Sequence, residues 1–208
     1  MNAVLSPMGM KFFPEPEISH KALITKRLSR TGREGMDELL SYMEDSGFFS
    51  APCSGGHHLC VEGGLATHSW NVYQTALKLN ETLGADIPED TLAVCSLLHD
   101  LGKTGDFGKE MYVQNVLKTG KVSASKPYKR NPTLSSVPHA IRSAKIAQRF
   151  ISLSEEEEWA ILCHDGQYDF MKYELVGHET PLYMILHWAD MWASRVIEAG
   201  CEDEEEAG

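Results

Sequence analysis

The chain has 208 residues, 42% of them apolar and 24% charged, with a net charge of −11. This is the profile of one soluble globular domain large enough to bury a core, and the acidic balance argues against a protein that coats nucleic acid with its whole surface. No apolar run approaches the roughly 20 residues that span a bilayer. Five dispersed cysteines without a Cys-x-x-Cys pair indicate neither a disulfide framework nor a zinc ribbon, so a reducing cytoplasm fits best.

Residues 1–18 hold Pro14 and Pro16 and read as an irregular lead without the basic start and long apolar centre of a signal peptide. Residues 19–46 read as one or two helices, with Ser19 as N-cap and Gly32 and Gly35 as the break. Phe48 and Phe49 are expected to dock onto the core. Residues 50–64 form a loop with four glycines, followed by a helix over 65–83 that carries His68 in its first turns. Pro88 suits the first position of the next helix, which runs through Leu98 and His99 and is expected to stop at Gly102. Residues 111–133 read as a β-hairpin insertion. Pro138 opens a helix with His139 in its first turn. Ser154 and Glu157 form a capping-box pattern for a helix that carries His164 and stops at Gly166. Thr180 and Pro181 open the last helix, with Asp190 inside it and its end near Gly200. Residues 201–208 are an acidic tail.

Charge is uneven along the chain. Residues 111–154 hold no Asp or Glu but contain Lys118, Lys121, Lys126, Lys129, Arg130, Arg142, Lys145 and Arg149. Such a segment either attracts phosphate or is simply a solvated hairpin and helix face.

The strongest chemical signal is an apolar run, Leu97-Leu98, ending in adjacent His99 and Asp100. Two ionisable groups at the rim of a core need a partner, because burying them unpaired costs several kcal/mol. A divalent metal is such a partner. His68, His139, His164 and Asp190 each fall on a different expected helix, and facing helices of a bundle are where metal sites are built. Taken singly, a histidine on an apolar helix is more often structural than a ligand. His57 and His58 sit in the glycine loop, where solvation is the plainer reading, although His58 could touch substrate. His187 could orient Asp190 or could be a packed histidine. Trp188, Trp192 and Tyr183 read as core, and Tyr168, Lys172 and Tyr173 could line a mouth.

The ordered set resembles the HD superfamily, whose pattern is His, then His-Asp, then a late Asp. The matching pieces are Gly63-Gly64-Leu65-Ala66-Thr67-His68, Leu98-His99-Asp100-Leu101-Gly102-Lys103 and Leu186-His187-Trp188-Ala189-Asp190. His139 and His164 match the two extra histidines of two-metal members, and the Gly-Gly lead is similar to that of HD exoribonucleases. The resemblance covers roughly residues 48–197 and implies an all-α HD-domain helical bundle over 19–200 with a short β-hairpin insertion. It implies two divalent ions, whose identity (Mn, Fe, Mg, Co or Ni) the residues leave open. His68, His99, Asp100 and Asp190 would hold one, and Asp100, His139 and His164 the other. Many two-metal members have a second histidine where this chain has Asp165, which is as readily a helix-end residue as a ligand. Single-metal nucleotidases of the family carry a Glu where this chain has Lys103.

The implied chemistry is hydrolysis of a phosphate ester of a nucleotide or short nucleic acid, with Asp100 and Lys103 catalytic and Lys103, Arg142 and His58 facing the substrate. Two rival readings use the same residues: a di-iron HD oxygenase cleaving a C–C or C–P bond, and a non-catalytic module that senses a nucleotide.

Overall fold

The computed structural model describes residues 19–168 and 171–199, together with strands β1 (Val4–Leu5) and β2 (Lys11–Phe12), which pair antiparallel. The rest of the lead, including Pro14 and Pro16, the expected helix end at Gly200 and the acidic tail 201–208 lie outside the described residues.

Local signals set most helix starts. The Ser19 hydroxyl accepts from the Ala22 N–H and caps α1 (His20–Ser29). Gly35, at φ +80, precedes α2 (Met36–Asp45), and a Cβ there would collide with the Phe150 carbonyl. Gly63, also left-handed, precedes the long α3 (Gly64–Leu83). Pro88 stands just before α4 (Glu89–Leu98), and Pro138 just before α5 (His139–Ala147). Both halves of the Ser154–Glu157 capping box are formed at the start of α6 (Glu155–Cys163). A short α7 (Lys172–Leu175) precedes α8 (Pro181–Trp192), which Thr180 caps. The fold is all-α, with a helical bundle and a short hairpin, as expected.

Helix α3 runs through the middle and packs chiefly against α4 and α8, while α6 packs on α5 and α8. Two apolar cores result. Ile24, Leu28, Leu39, Phe48, Leu65 and Leu97 fill the first, with Phe49 packed beside it. Val72, Leu92, Ile161, Leu182, Ile185 and Leu186 fill the second. Tyr183 is buried in this second core, but Trp188 and Trp192, also expected as core, are about half exposed. Spaced four apart, they line one edge of the face of α8 that buries Ile185, Leu186 and Ala189.

One helix end departs from expectation. Helix α4 stops at Leu98, and residues Leu101–Thr104 form a 3₁₀ turn. Gly102 is therefore not a helix stop. It lies against α5, where a Cβ would come within 2.3 Å of the His139 carbonyl oxygen. The Gly102 N–H donates to the Ser143 hydroxyl at 2.7 Å, and that hydroxyl donates to the His139 carbonyl at 2.9 Å. A bare backbone is what lets the His99-Asp100 corner approach α5.

The hairpin forms where the sequence suggests. Strands β3 (Tyr112–Gln114) and β4 (Tyr128–Arg130) pair antiparallel, Val113 opposite Lys129. The hairpin leans on the glycine loop. A Cβ at Gly55 would lie 3.1 Å from the Tyr128 carbonyl, and one at Gly56 would lie 2.8 Å from Lys126 Cγ. No helix among the described residues is long and apolar enough to cross a membrane.

Replacing Gly102→Ala forces α5 away from the 3₁₀ turn. Overpacking of this kind costs about 1–3 kcal/mol, so a clear fall in the thermal midpoint is expected. An unchanged midpoint would mean that the contact is not tight in solution.

Candidate metal centre

Helix ends bring the expected residues together. His99 and His164 are the C-caps of α4 and α6, His139 is the first residue of α5, and His68 lies in the second turn of α3. The carboxyl ends of two helices thus meet the amino ends of two others around Asp100. Asp190 reaches in from α8.

Each of three histidines has one ring nitrogen occupied by an acceptor-only partner. His99 Nδ1–H donates to the Ser96 carbonyl at 2.8 Å, and His164 Nδ1–H donates to the Ile161 carbonyl at 2.7 Å. His68 Nδ1–H donates to the Glu198 carboxylate at 3.0 Å. A partner that can only accept fixes the proton on Nδ1 and leaves Nε2 to face inward.

The inward atoms converge. Asp100 Oδ2 lies 3.3 Å from His99 Nε2 and 3.5 Å from His68 Nε2. Asp100 Oδ1 lies 3.2 Å from His139 Nε2 and 3.6 Å from His164 Nε2. His68 Nε2 is 3.1 Å from Asp190 Oδ1, and His139 Nε2 is 3.1 Å from His164 Nε2 and 3.2 Å from Asp165 Oδ2. The two oxygens of one carboxylate thus address two different groups of ligand-type atoms.

A divalent ion fits this arrangement. His68 Nε2, His99 Nε2 and Asp100 Oδ1 are buried without a hydrogen-bond partner, a costly condition unless something else satisfies them. Two atoms at about 2.1 Å from one ion, at angles of about 90–109°, stand about 3.0–3.4 Å apart. Most of the separations above fall in or near that range. His68, His99 and Asp190 form one set that could hold a metal, His99, Asp100 and His164 a second, and His139, His164 and Asp165 a third. Asp165 therefore stands among the ligand-type atoms.

The buried charges balance one another. Burial would lower the pKa of His164, but Asp165 and Asp100 outweigh it and push the imidazole up to about 9. Burial would raise the carboxyls of Asp100 and Asp190, yet neighbouring cationic groups hold both well below the usual range. His139 is pulled down to about 4, chiefly by burial. Lys103 Nζ sits 2.6 Å from Asp100 Oδ2, and that carboxylate outweighs burial to keep the ammonium charged. Exposure marks the open side: the His139 and Asp165 side chains are 20% and 31% exposed, against 1% for Asp100.

Other expected residues are placed differently. Arg142 is buried and turned away: its guanidinium donates to the Ser135 carbonyl at 3.1 Å and lies 3.8 Å from Asp106. It shares α5 with His139, but its guanidinium is drawn to the buried Asp106 carboxylate rather than to the cluster. His187 does not contact Asp190 through its Nδ1, which donates to the His164 carbonyl at 2.7 Å, and its ring stacks on Tyr183. It steadies the turn that presents His164. His58 packs over His68 with ring centroids 5.1 Å apart and its Nε2 3.3 Å from Cys53 Sγ. Tyr168 and Tyr173 are largely exposed.

Glu198 and Cys53 drew no notice in the sequence. Glu198 is buried, accepts from both His68 and Asn71, and follows a π-helical turn, Ala193–Ile197. At about 100° per residue, position 198 of a regular helix lies about 80° away from Asp190. A π turn inserts one extra residue and brings the two back to one face. Only a helix irregularity, not a motif, would have revealed it.

In Glu198→Ala, His68 loses the carboxylate that orients it. Mn²⁺ affinity measured by calorimetry is expected to fall about 10–100-fold. Unchanged affinity would show that packing alone orients the ring.

A protein-family model of the HD domain matches residues 65–192. Comparison with curated proteins and with solved structures finds no match. The matched span opens at Leu65, just before His68, and closes just beyond Asp190, so it encloses the whole His/Asp cluster except Glu198. With its helical bundle and this buried cluster, the chain belongs to the HD-domain family, whose members are generally metal-dependent phosphohydrolases.

Proposed function

We propose that the protein is a two-metal phosphohydrolase or phosphodiesterase acting on a nucleotide or a short nucleic acid. The observation that carries this reading is the split allegiance of Asp100, one oxygen toward His68 and His99 and the other toward His139 and His164. His68, His99, Asp100 and Asp190 would hold one divalent ion, and Asp100, His139, His164 and Asp165 the second. Such ions would supply Lewis-acid polarisation of a phosphoryl oxygen and a lowered pKa for a water.

The chain's own groups do the rest. Lys103 keeps its charge beside Asp100 and offers a point cation to a phosphate oxygen. Nδ1-tethered histidines hold their positions without reorganising as charge develops. A cavity of ≈ 260 Å³ opens beside Lys103, between the glycine loop and the hairpin, lined in part by Ser50, Glu62, Tyr112 and Tyr128. It gives the non-reacting part of a substrate an aromatic and polar wall. Lys118, Lys121, Lys129 and Arg130 are exposed on the hairpin, where they would raise the local concentration of an anion despite the net negative chain.

Purified protein supplied with Mn²⁺ is expected to release product from a generic phosphodiester, and His99→Ala combined with Asp100→Ala should abolish turnover. Persistent turnover in that double variant would sink the assignment, and oxygen uptake in place of phosphate-ester cleavage would redirect it to an HD oxygenase. Lys103→Met should lower kcat by about 10²–10³-fold if its charge meets the transition state, with metal content retained. A change in KM alone would limit Lys103 to substrate binding.

A further inference from the structure

We propose that Cys53 and His58 of the glycine loop form, with His68, a second site for a thiophilic divalent ion such as Zn²⁺, one that shares His68 with the carboxylate-rich centre. The ligand-type atoms of these three residues lie within 4.8 Å of one another. Cys53 Sγ is 3.3 Å from His58 Nε2, close to the roughly 3.5 Å between sulfur and nitrogen on one tetrahedral zinc. His58 Nε2 also lies 3.7 Å from Glu198 Oε2, a fourth donor of suitable type. Cys53 and His68 are buried, and His68 Nε2 has no hydrogen-bond partner.

The donor chemistry separates this site from the carboxylate-rich centre. One thiolate with two imidazoles favours Zn²⁺ or Co²⁺, whereas carboxylates and water suit Mn²⁺ and Mg²⁺. The loop is held in the binding shape. The Cys53 N–H donates to the Leu59 carbonyl at 3.1 Å, the Ser54 hydroxyl donates to the His58 carbonyl at 2.9 Å, and the His57 N–H donates to the Ser54 hydroxyl at 2.9 Å. Leu59 sits at φ +46, a conformation that a branched side chain rarely adopts. These bonds set Cys53 and His58 side by side across five residues. Cys60 is turned elsewhere, its sulfur 3.2 Å from the Ser54 hydroxyl.

On binding, the Cys53 S–H bond breaks, a sulfur–metal bond forms and the proton passes to solvent. The ion draws on His68, which the carboxylate-rich centre also uses. Excess zinc therefore lowers turnover by competing for that imidazole. This consequence rests on the hydrolase reading, but the site itself does not.

The test is a Co²⁺ titration of the metal-free full chain, followed through saturation by absorption. The carboxylate-rich centre contains no sulfur, so a thiolate-to-Co²⁺ charge-transfer band in the near ultraviolet reports Cys53. Wild type is expected to show the band, Cys60→Ser to keep it, Cys53→Ser to lose it, and His58→Gln to bind Co²⁺ at this site at least about tenfold more weakly. No band in wild type, or a band that survives Cys53→Ser, overturns the proposal. Should Cys53→Ser fail to fold, zinc-edge X-ray absorption of wild type decides: a sulfur neighbour supports the site and its absence refutes it. In the activity arm, Cys53→Ser should raise the Zn²⁺ concentration that halves Mn²⁺-supported turnover. A chain with the cobalt band but no turnover keeps this site and loses the hydrolase reading.

Discussion

The Asp100 carboxylate is the constraint around which the rest is arranged. It is buried among four imidazoles and one ammonium, with its two oxygens committed to different neighbours. A carboxylate taken out of water is tolerated only if cationic or hydrogen-bonding groups surround it. The helices that deliver those groups converge on this point: α3 with His68, α4 with His99, α5 with His139 and α6 with His164, while α8 adds a second carboxylate, Asp190.

That convergence depends on details of backbone packing. Gly102 allows the turn after Asp100 to rest directly on the first turn of α5, and Ser143 links the two through its hydroxyl. Helix ends, rather than helix middles, present most of the ligand-type side chains, so the free carbonyls near a terminus tie down His99 and His164. Ser96 and Ile161 do this for His99 and His164, three residues upstream in each case. The π turn at the end of α8 performs the same service for His68 by returning Glu198 to the face of Asp190. Each tether removes ring rotation that a loosely held ligand would lose on binding.

Charge is sorted by location as well as by sign. Arg27, Arg33 and Arg149 are spent on structure, pairing with Asp90, Glu157 and Asp106. Arg142 joins Asp106 from the buried side. Lys103 is the cation left at the centre, while the hairpin lysines remain in solvent. An acidic chain thus keeps a local positive surface on the hairpin.

The sequence by itself determined the helices, the hairpin and the identity of the central residues. Capping pairs such as Ser154–Glu157, the glycine loop and the ordered His, His-Asp, His, His and Asp series are local or strictly ordered signals, and short-range physics or family pattern reads them directly. Only the tertiary structure decided which way side chains turned. Arg142 shares α5 with His139 yet pairs with Asp106, because a buried carboxylate within reach outweighs helical proximity. Asp165 joins the cluster because His139 of another helix comes within 3.2 Å. Glu198 reaches His68 across 130 residues through a π turn that no periodicity announces. Cys53 meets His58 and His68 only because the folded glycine loop lies over α3. Contacts between residues far apart in the chain are set by how whole elements pack, and a residue pattern along one strand of sequence contains no term for that.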